Sequence, residues 1–242
     1  MTQIQTTSEI VVDLHSSIGS DNSVVHAARV STVGEACVES EPGEHAGLIN
    51  YLMKHRHGTP FEHNSMTFFV KAPIFVWREW HRHRIGFSYN EESARYKVLE
   101  PLFYVPDETR PMFKVEGWKP GRPKFTVADG LEENLKFYAL RSNLIRSYQF
   151  CYENYLANLG LGIDPGLARD CLPVGIYSSC WVTCNARSLM AFLSLRTHEP
   201  EADRVSYPLH EIEVAARKCE EHFAKLLPLT QAAWVKNGRV AP

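Results

Sequence analysis

Three segments of this chain carry the residue types from which a site for an anionic heterocycle can be built. The first, RHRIGFSYNEESARY over residues 82 to 96, sets Arg82, His83 and Arg84 ahead of a polar turn holding Asn90, Glu91, Glu92, Ser93 and Arg95. Guanidinium forks match phosphate oxygens and ring carbonyls through paired hydrogen bonds. Trp77, Trp80, Phe87 and Tyr89 flank the cluster, which favours a phosphorylated heterocyclic ligand over a merely solvated turn. Cations drawn to the last turn of a helix by its macrodipole would give the same composition without a ligand. The second segment is HGTPFEHN, with His57, Thr59, Glu62 and His63. HExxH is absent and Pro60 interrupts the run, so polar ligand contacts or helix-end capping fit better than a metal site. The third combines Arg169 in LARDCLPV with Asn185, Arg187 and Arg196 in NARSLMAFLSLR. On a helix Leu189, Phe192, Leu193 and Arg196 share one side, so Arg196 ends an apolar stripe as a ligand-directed cation, a snorkelling side chain or half of a surface ion pair.

These residues need a scaffold, and the sequence predicts one. A strand is expected near Ile10 to Leu14, a helix from about Asp21 or Asn22, and a helix from about His45 to His57 closed by Gly58, glycine being preferred just past a helix end. Ser65 to Lys71 alternates as a strand, and Pro73 opens a helix from Ile74 to Arg84 that stops at Gly86 and carries the basic cluster in its last turn. Six prolines and glycines make residues 103 to 129 an irregular excursion. Beyond it come a helix from about Leu131 to Leu159, a short element at Pro165 to Leu172, a strand at Ile176 to Thr183 and a helix from Ala186 to Thr197 capped by Asn185. The last helix is expected at Leu209 to Leu227, with Ile212, Ala216, Cys219, Phe223 and Leu226 on one stripe. The expected fold is α+β (mixed α/β): one domain over residues 1 to 242, with a central twisted, largely antiparallel sheet flanked by helices.

Composition narrows the function. With 26 Lys and Arg against 28 Asp and Glu the net charge is -2, so any anion site is local and no general nucleic-acid-coating role is supported. The six cysteines, at 37, 151, 171, 180, 184 and 219, form no CxxC pair, as expected of reduced thiols. Cys180 and Cys184 are spaced to share a helix face, yet no second ligand pair accompanies them. The opening MTQIQTTSEI has neither a basic leader nor an apolar core, and no stretch reaches the ~20 apolar residues of a membrane span, so a soluble cytoplasmic protein is expected. No G-x-G-x-x-G follows a strand and no P-loop occurs.

Taken in order, RHR with S-x-N-E-x-S-x-R-Y, HGTPFEH, KAPIFVWREW and NARSLMAFLSLR resemble the flavin-dependent thymidylate synthases over about Ala28 to Ile212. The resemblance implies reductive methylation of dUMP to dTMP, with 5,10-methylenetetrahydrofolate as carbon donor, FAD as hydride carrier and NADPH as reductant. It assigns the flavin to Ser31, Thr59, Glu62, Arg82, His83, Arg84, Glu91, Asn185 and Arg187. It assigns dUMP to Glu79, Arg82, Glu91, Glu92, Ser93, Ala94, Arg95, Arg169 and Arg196, with Arg196 acting at the uracil ring. His57 matches a histidine associated with the folate and flavin pocket, no metal is implied, and active sites are shared between the subunits of a homotetramer.

The sequence departs from the family pattern in places. Ile85 to Glu92 supplies eight residues before Ser93 where the family usually has seven. Glu79 replaces a glutamine and Ala191 an asparagine of some members, and His198 to Arg204 lengthens the approach to the last helix. The Pro-Cys-His segment of cysteine-dependent thymidylate synthases is missing, so neither Cys171 nor Cys184 is expected to act as nucleophile. Two competing readings remain at this level: a nucleotide- or RNA-binding module built on Arg82 to Arg95, and a metal-dependent hydrolase built on His57, His63, His81 and His83.

Overall fold

A computed structural model describes residues 2–34 and 42–242, without the side chains of 42–44; Cys37 lies outside them. The chain runs β1 (Gln5–Thr7), β2 (Val11–Ile18), α1 (Asp21–Val33), α2 (Pro42–Lys54), a 3-10 turn (Thr59–Glu62), β3 (Ser65–Pro73), α3 (Ile74–Trp80) and β4 (Phe87–Glu91). It continues through β5 (Leu102–Tyr104), β6 (Phe113–Lys114), β7 (Phe125–Thr126), α4 (Gly130–Gly160), α5 (Pro165–Ala168) and a second 3-10 turn (Arg169–Cys171). It ends with β8 (Tyr177–Cys184), α6 (Ala186–Arg196), α7 (His210–Leu226) and α8 (Pro228–Lys236). An antiparallel sheet has the order β2-β3-β8-β4, beside the separate pairs β1-β5, which is parallel, and β6-β7. The α+β class expected from the sequence is therefore what the chain adopts. Two compact units form, one from Met1–Val11, Lys71–Glu79 and Glu91–Cys180, the other from Val12–Val70, Trp80–Asn90 and Trp181–Pro242. Each is assembled from three stretches of chain, so no single cut in the sequence separates them.

In the second unit the period-2 pattern of β3 is realised, with Met66, Phe68 and Val70 buried. Thr67 and Thr183 hydroxyls meet at 3.0 Å between β3 and β8. The stripe on α7 buries Ile212, Ala216, Cys219 and Phe223, and α7 packs on α6 and α8. One buried carboxylate ties the ends of this unit together. Asp21 opens α1 and accepts from Leu229 N (2.9 Å), Thr230 N (3.0 Å) and Thr230 Oγ1 (2.6 Å), capping the first turn of α8.

In the first unit, Phe103, Tyr148, Tyr152, Tyr155 and Ile176 form a core shared by β5, α4 and the segment before β8. The tyrosines of α4 also hold backbone. Tyr152 donates to Leu99 O at 2.8 Å and Tyr155 accepts from Leu99 N at 3.3 Å, so the chain just after the Glu91-to-Arg95 turn is gripped at both of its polar groups. The 103 to 129 stretch is irregular apart from β5 and the small β6-β7 pair.

Several boundaries differ from the sequence expectations for identifiable reasons. Helix α2 ends at Lys54, and Arg56, with φ 60°, takes the left-handed position while Gly58 stays at φ -77°. His57 N→Leu52 O (2.9 Å) and Arg56 N→Met53 O (3.2 Å) close the helix end in the Schellman pattern. Helix α3 stops at Trp80 rather than Arg84, because the Tyr89 hydroxyl bonds Trp80 O and His83 O and Gly86 turns the chain at φ 68°. The basic triplet therefore lies past the helix. Cys180 and Cys184 sit on a strand, buried on one face by its alternation, and a further helix, α8, follows α7 from Pro228.

Removing the Asp21 carboxylate should strand three donors in a buried setting. Asp21→Ala is expected to lower the unfolding free energy in urea by about 2 kcal/mol, and a change under about 0.5 kcal/mol would show that the cap carries no stability.

Candidate active site

The first unit contains a cavity of about 340 Å³ lined by Glu91, Glu92, Ala94, Leu99, Arg169 and Ser178, among others. Its inner wall is fixed by hydrogen bonds. Ser178 Oγ donates to Glu91 Oε1 at 2.6 Å, and Ser179 N donates to Glu92 Oε1 at 2.8 Å. On the rim Ser93 to Lys97 forms a tight turn, with Tyr96 N→Ser93 O at 3.0 Å and Arg95 N→Ser93 Oγ at 3.3 Å. Among the described residues no acceptor is found for the Ser93 and Ala94 N–H groups. Arg169 occupies the 3-10 turn after α5, whose N-cap Asp164 accepts from Leu167 N at 3.1 Å. Two backbone donors, a hydroxyl and exposed Arg95 and Arg169 make a suitable cradle for a phosphate dianion. Acidic Glu91, by contrast, suits hydroxyl donors.

In the second unit the turn after α3 presents Arg82 and Arg84 to solvent, and neither meets a carboxylate among the described residues. Ile85 at its tip is 92% exposed. His83 points inward, against Phe192 at 5.0 Å between ring centroids, and its Nε2 accepts from Arg196 Nε at 3.0 Å. Burial, followed by the Arg196 charge, lowers the His83 pKa to about 4, so the ring is neutral and its proton resides on Nδ1. Phe192 stacks on Trp80 at 4.8 Å, which anchors α6 beneath the turn. Asn185 Oδ1 accepts from Ser188 N at 2.9 Å, the expected cap. Gly86 is required twice over, by its positive φ and by Ser188 Oγ, which a Cβ would overlap.

Arg187 extends from the start of α6 to Glu62 Oε1 (2.5 Å) and donates through Nε to Pro242 O (2.7 Å). The glycine expected to end α2 lies against the Arg187 guanidinium instead. A Cβ on Gly58 would lie 2.5 Å from Arg187 Cζ. The Thr59–Glu62 turn packs against both α1, which carries Ser31, and α6. Ser31 Oγ itself donates back to Ala28 O at 3.0 Å. His57 is exposed with its ring 5.9 Å from Tyr51, and Glu79 lies on α3.

Thus the second unit joins His83 to Arg196 and Glu62 to Arg187, while the first unit gathers Glu91, Glu92, Ala94 and Arg169 around one cavity. Sequence reading missed Ser178, Ser179 and Lys97, the groups that restrain Glu91 and Glu92. Nothing in the spacing of residues 91 and 178 signals that they touch. Among the described residues no three His, Cys, Asp or Glu side chains gather as metal ligands. Burial raises the thiol pKa of Cys171, Cys184 and Cys219, the reverse of what a nucleophile requires.

The Arg82 to Arg84 turn offers two exposed guanidinium groups of the kind that suit phosphate oxygens, and the Glu62 to Arg187 corner offers fixed polar groups at the start of α6. Comparison with known proteins bears on the same point. Residues 13–229 match the family described as thymidylate synthase complementing protein. A flavin-dependent thymidylate synthase of Streptomyces coelicolor is 50% identical over 243 residues, covering 99% of this chain and 96% of the relative. One from Tropheryma whipplei is 46% identical over 237 residues, covering 97% of this chain and 96% of the relative. A crystal structure of the UMP/dUMP methylase PolB from Streptomyces cacaoi, bound with 5-Br dUMP, is 47% identical with a TM-score of 0.90, and covers 99% of this chain and 100% of that one.

The His83 environment has a pH signature. The unfolded imidazole titrates at 6.5 and the folded one at about 4, so between those values the unfolded chain binds the extra proton. Stability from this residue is therefore intact above pH 6.5 and is lost as pH falls towards 4. Histidine NMR should place the His83 midpoint well below 6.5, and Arg196→Ala should move it upward while burial keeps it depressed. A midpoint near 6.5 in the parent would contradict this environment.

Proposed function

Since the chain belongs to the flavin-dependent thymidylate synthases, we propose that its two clusters divide that family's reaction between a nucleotide cavity and a flavin-binding turn. The reaction is the reductive methylation of dUMP to dTMP. When bound, FAD would supply the hydride, methylenetetrahydrofolate the carbon and NADPH the reducing equivalents. Ser93, Ala94, Arg95 and Arg169 hold the dUMP phosphate, and Glu91 accepts from a sugar hydroxyl. Glu79 and Arg82 complete the nucleotide contacts. Arg82, Arg84 and the His83 Nδ1–H hold the flavin together with Ser31, Thr59, Glu62, Asn185 and Arg187, and His57 serves the folate.

The Arg196–His83 hydrogen bond is the observation that carries the chemical reading. Arg196 does not deprotonate, and its bond to the neutral His83 ring orients the guanidinium. A fixed cation at the uracil ring favours the ionised base and makes C5 a better nucleophile towards the folate-borne carbon. No thiolate is called for, in keeping with the raised pKa of Cys171 and Cys184.

A homotetramer with active sites at subunit interfaces is part of this proposal, supported by the exposed Leu131, Leu135, Tyr138 and Phe150 on α4. So is a cytoplasmic location; among the described residues no helix is long and apolar enough to cross a membrane.

Arg196→Ala is expected to retain bound flavin and to lose at least about 100-fold in kcat at saturating dUMP. Arg82→Ala should weaken both flavin retention and dUMP binding. Flavin content by absorbance and steady-state kinetics separate the two, and near-normal kcat in Arg196→Ala would remove the role assigned to that residue.

A further inference from the structure

Within the first unit the structure shows what restrains the residue that precedes the phosphate turn. Glu92 is bound three times within the first unit. Its N–H donates to Ser179 O at 2.9 Å, its Oε1 accepts from Ser179 N at 2.8 Å, and its Oε2 accepts from Lys97 Nζ at 2.7 Å. Lys97 also donates its backbone N–H to Ser93 O at 3.3 Å, so the Glu92–Lys97 pair closes the mouth of the turn whose interior is Ser93, Ala94 and Arg95. Glu92 is only 19% exposed and Lys97 49% exposed.

We propose that Glu92 is a positioning residue for nucleotide binding: its side chain clamps the Ser93–Arg95 turn to β8 through Ser179 and to Lys97, and does not itself contact dUMP. This role rests on the assignment of the dUMP phosphate to that turn. Both carboxylate oxygens are already taken by donors of the protein. A carboxylate bordering a dianion site would otherwise repel the ligand, and Lys97 offsets that charge where it arises. Lys97 in turn has its pKa raised, first by the hydrogen bond it donates to Glu92 and also by the charges of Glu92 and Glu100, so its ammonium stays charged through neutral pH. Glu100 is itself paired with Lys71 at 2.9 Å.

The sign of the effect separates a clamp from a bystander charge. Deleting a bystander carboxylate beside a phosphate site would tighten dUMP binding, whereas deleting a clamp loosens the turn and weakens it. In flavin-loaded enzyme Glu92→Leu should raise the KM for dUMP about tenfold with kcat within about threefold, because the change falls on binding rather than on chemistry. Glu92→Gln should recover most of that loss, since its amide oxygen still accepts from Ser179 N. Lys97→Met should raise KM by about threefold and add nothing in the Glu92→Leu background, the non-additivity of partners in one network. An unchanged or lowered KM in Glu92→Leu overturns the proposal, as does a kcat loss at unchanged KM. If Glu92→Leu does not fold, Lys97→Met decides, and an unchanged KM there overturns it too. A parent enzyme that binds no dUMP would instead overturn the nucleotide assignment on which the role rests.

Discussion

The hydrogen bond from Arg196 to His83 is the contact around which the turn after α3 is built. It exists because the ring is buried enough to stay neutral and because α6 delivers an arginine from the end of an apolar stripe. The supporting parts follow from that demand. Phe192 packs on Trp80 and His83, Tyr89 terminates α3 so that His83 turns inward while Arg82 and Arg84 turn outward, and Gly86 lets the chain reverse over Ser188. The outcome is one inward ring bonded to Arg196 and two outward, solvent-exposed cations.

The first unit meets the opposite problem, the fixing of acidic and backbone groups around an anion cradle. Glu91 is held by Ser178, Glu92 by Ser179 and Lys97, and Leu99 by two tyrosines of a long helix. Leaving such groups unpaired in a half-buried wall would be costly, and pairing them internally confines the open donors to the turn itself. Preorganisation of this kind spares the ordering of the turn on binding.

Much of this was legible in the sequence where the signal is local. The alternation of Ser65 to Lys71, the Asn185 cap, the stripe of the penultimate helix and the arginine-rich segments all depend on neighbours a few residues apart. The misreadings share a cause. Gly58 was expected to end a helix, yet it keeps a negative φ with Arg187, far along the chain, packed against it, and Arg56 takes the left-handed backbone instead. The end of α3 depends on the Tyr89 hydroxyl, and the Cys180 and Cys184 spacing suits a helix face as well as the strand face they occupy. Glu92 could be read as a ligand from the motif alone, whereas its partners, Ser179 and Lys97, become visible only once β8 lies beside β4.

If reducing equivalents reach the pyrimidine through bound flavin, turnover needs neither a cysteine adduct nor oxidation of the folate. A single-turnover experiment tests it most directly: enzyme with its flavin already reduced is mixed, without NADPH, with dUMP and methylenetetrahydrofolate, and flavin absorbance, dTMP and the folate product are followed together. The flavin route gives one dTMP for each flavin reoxidised, with tetrahydrofolate as the folate product. Formation of dTMP while the flavin stays reduced and dihydrofolate accumulates would contradict it.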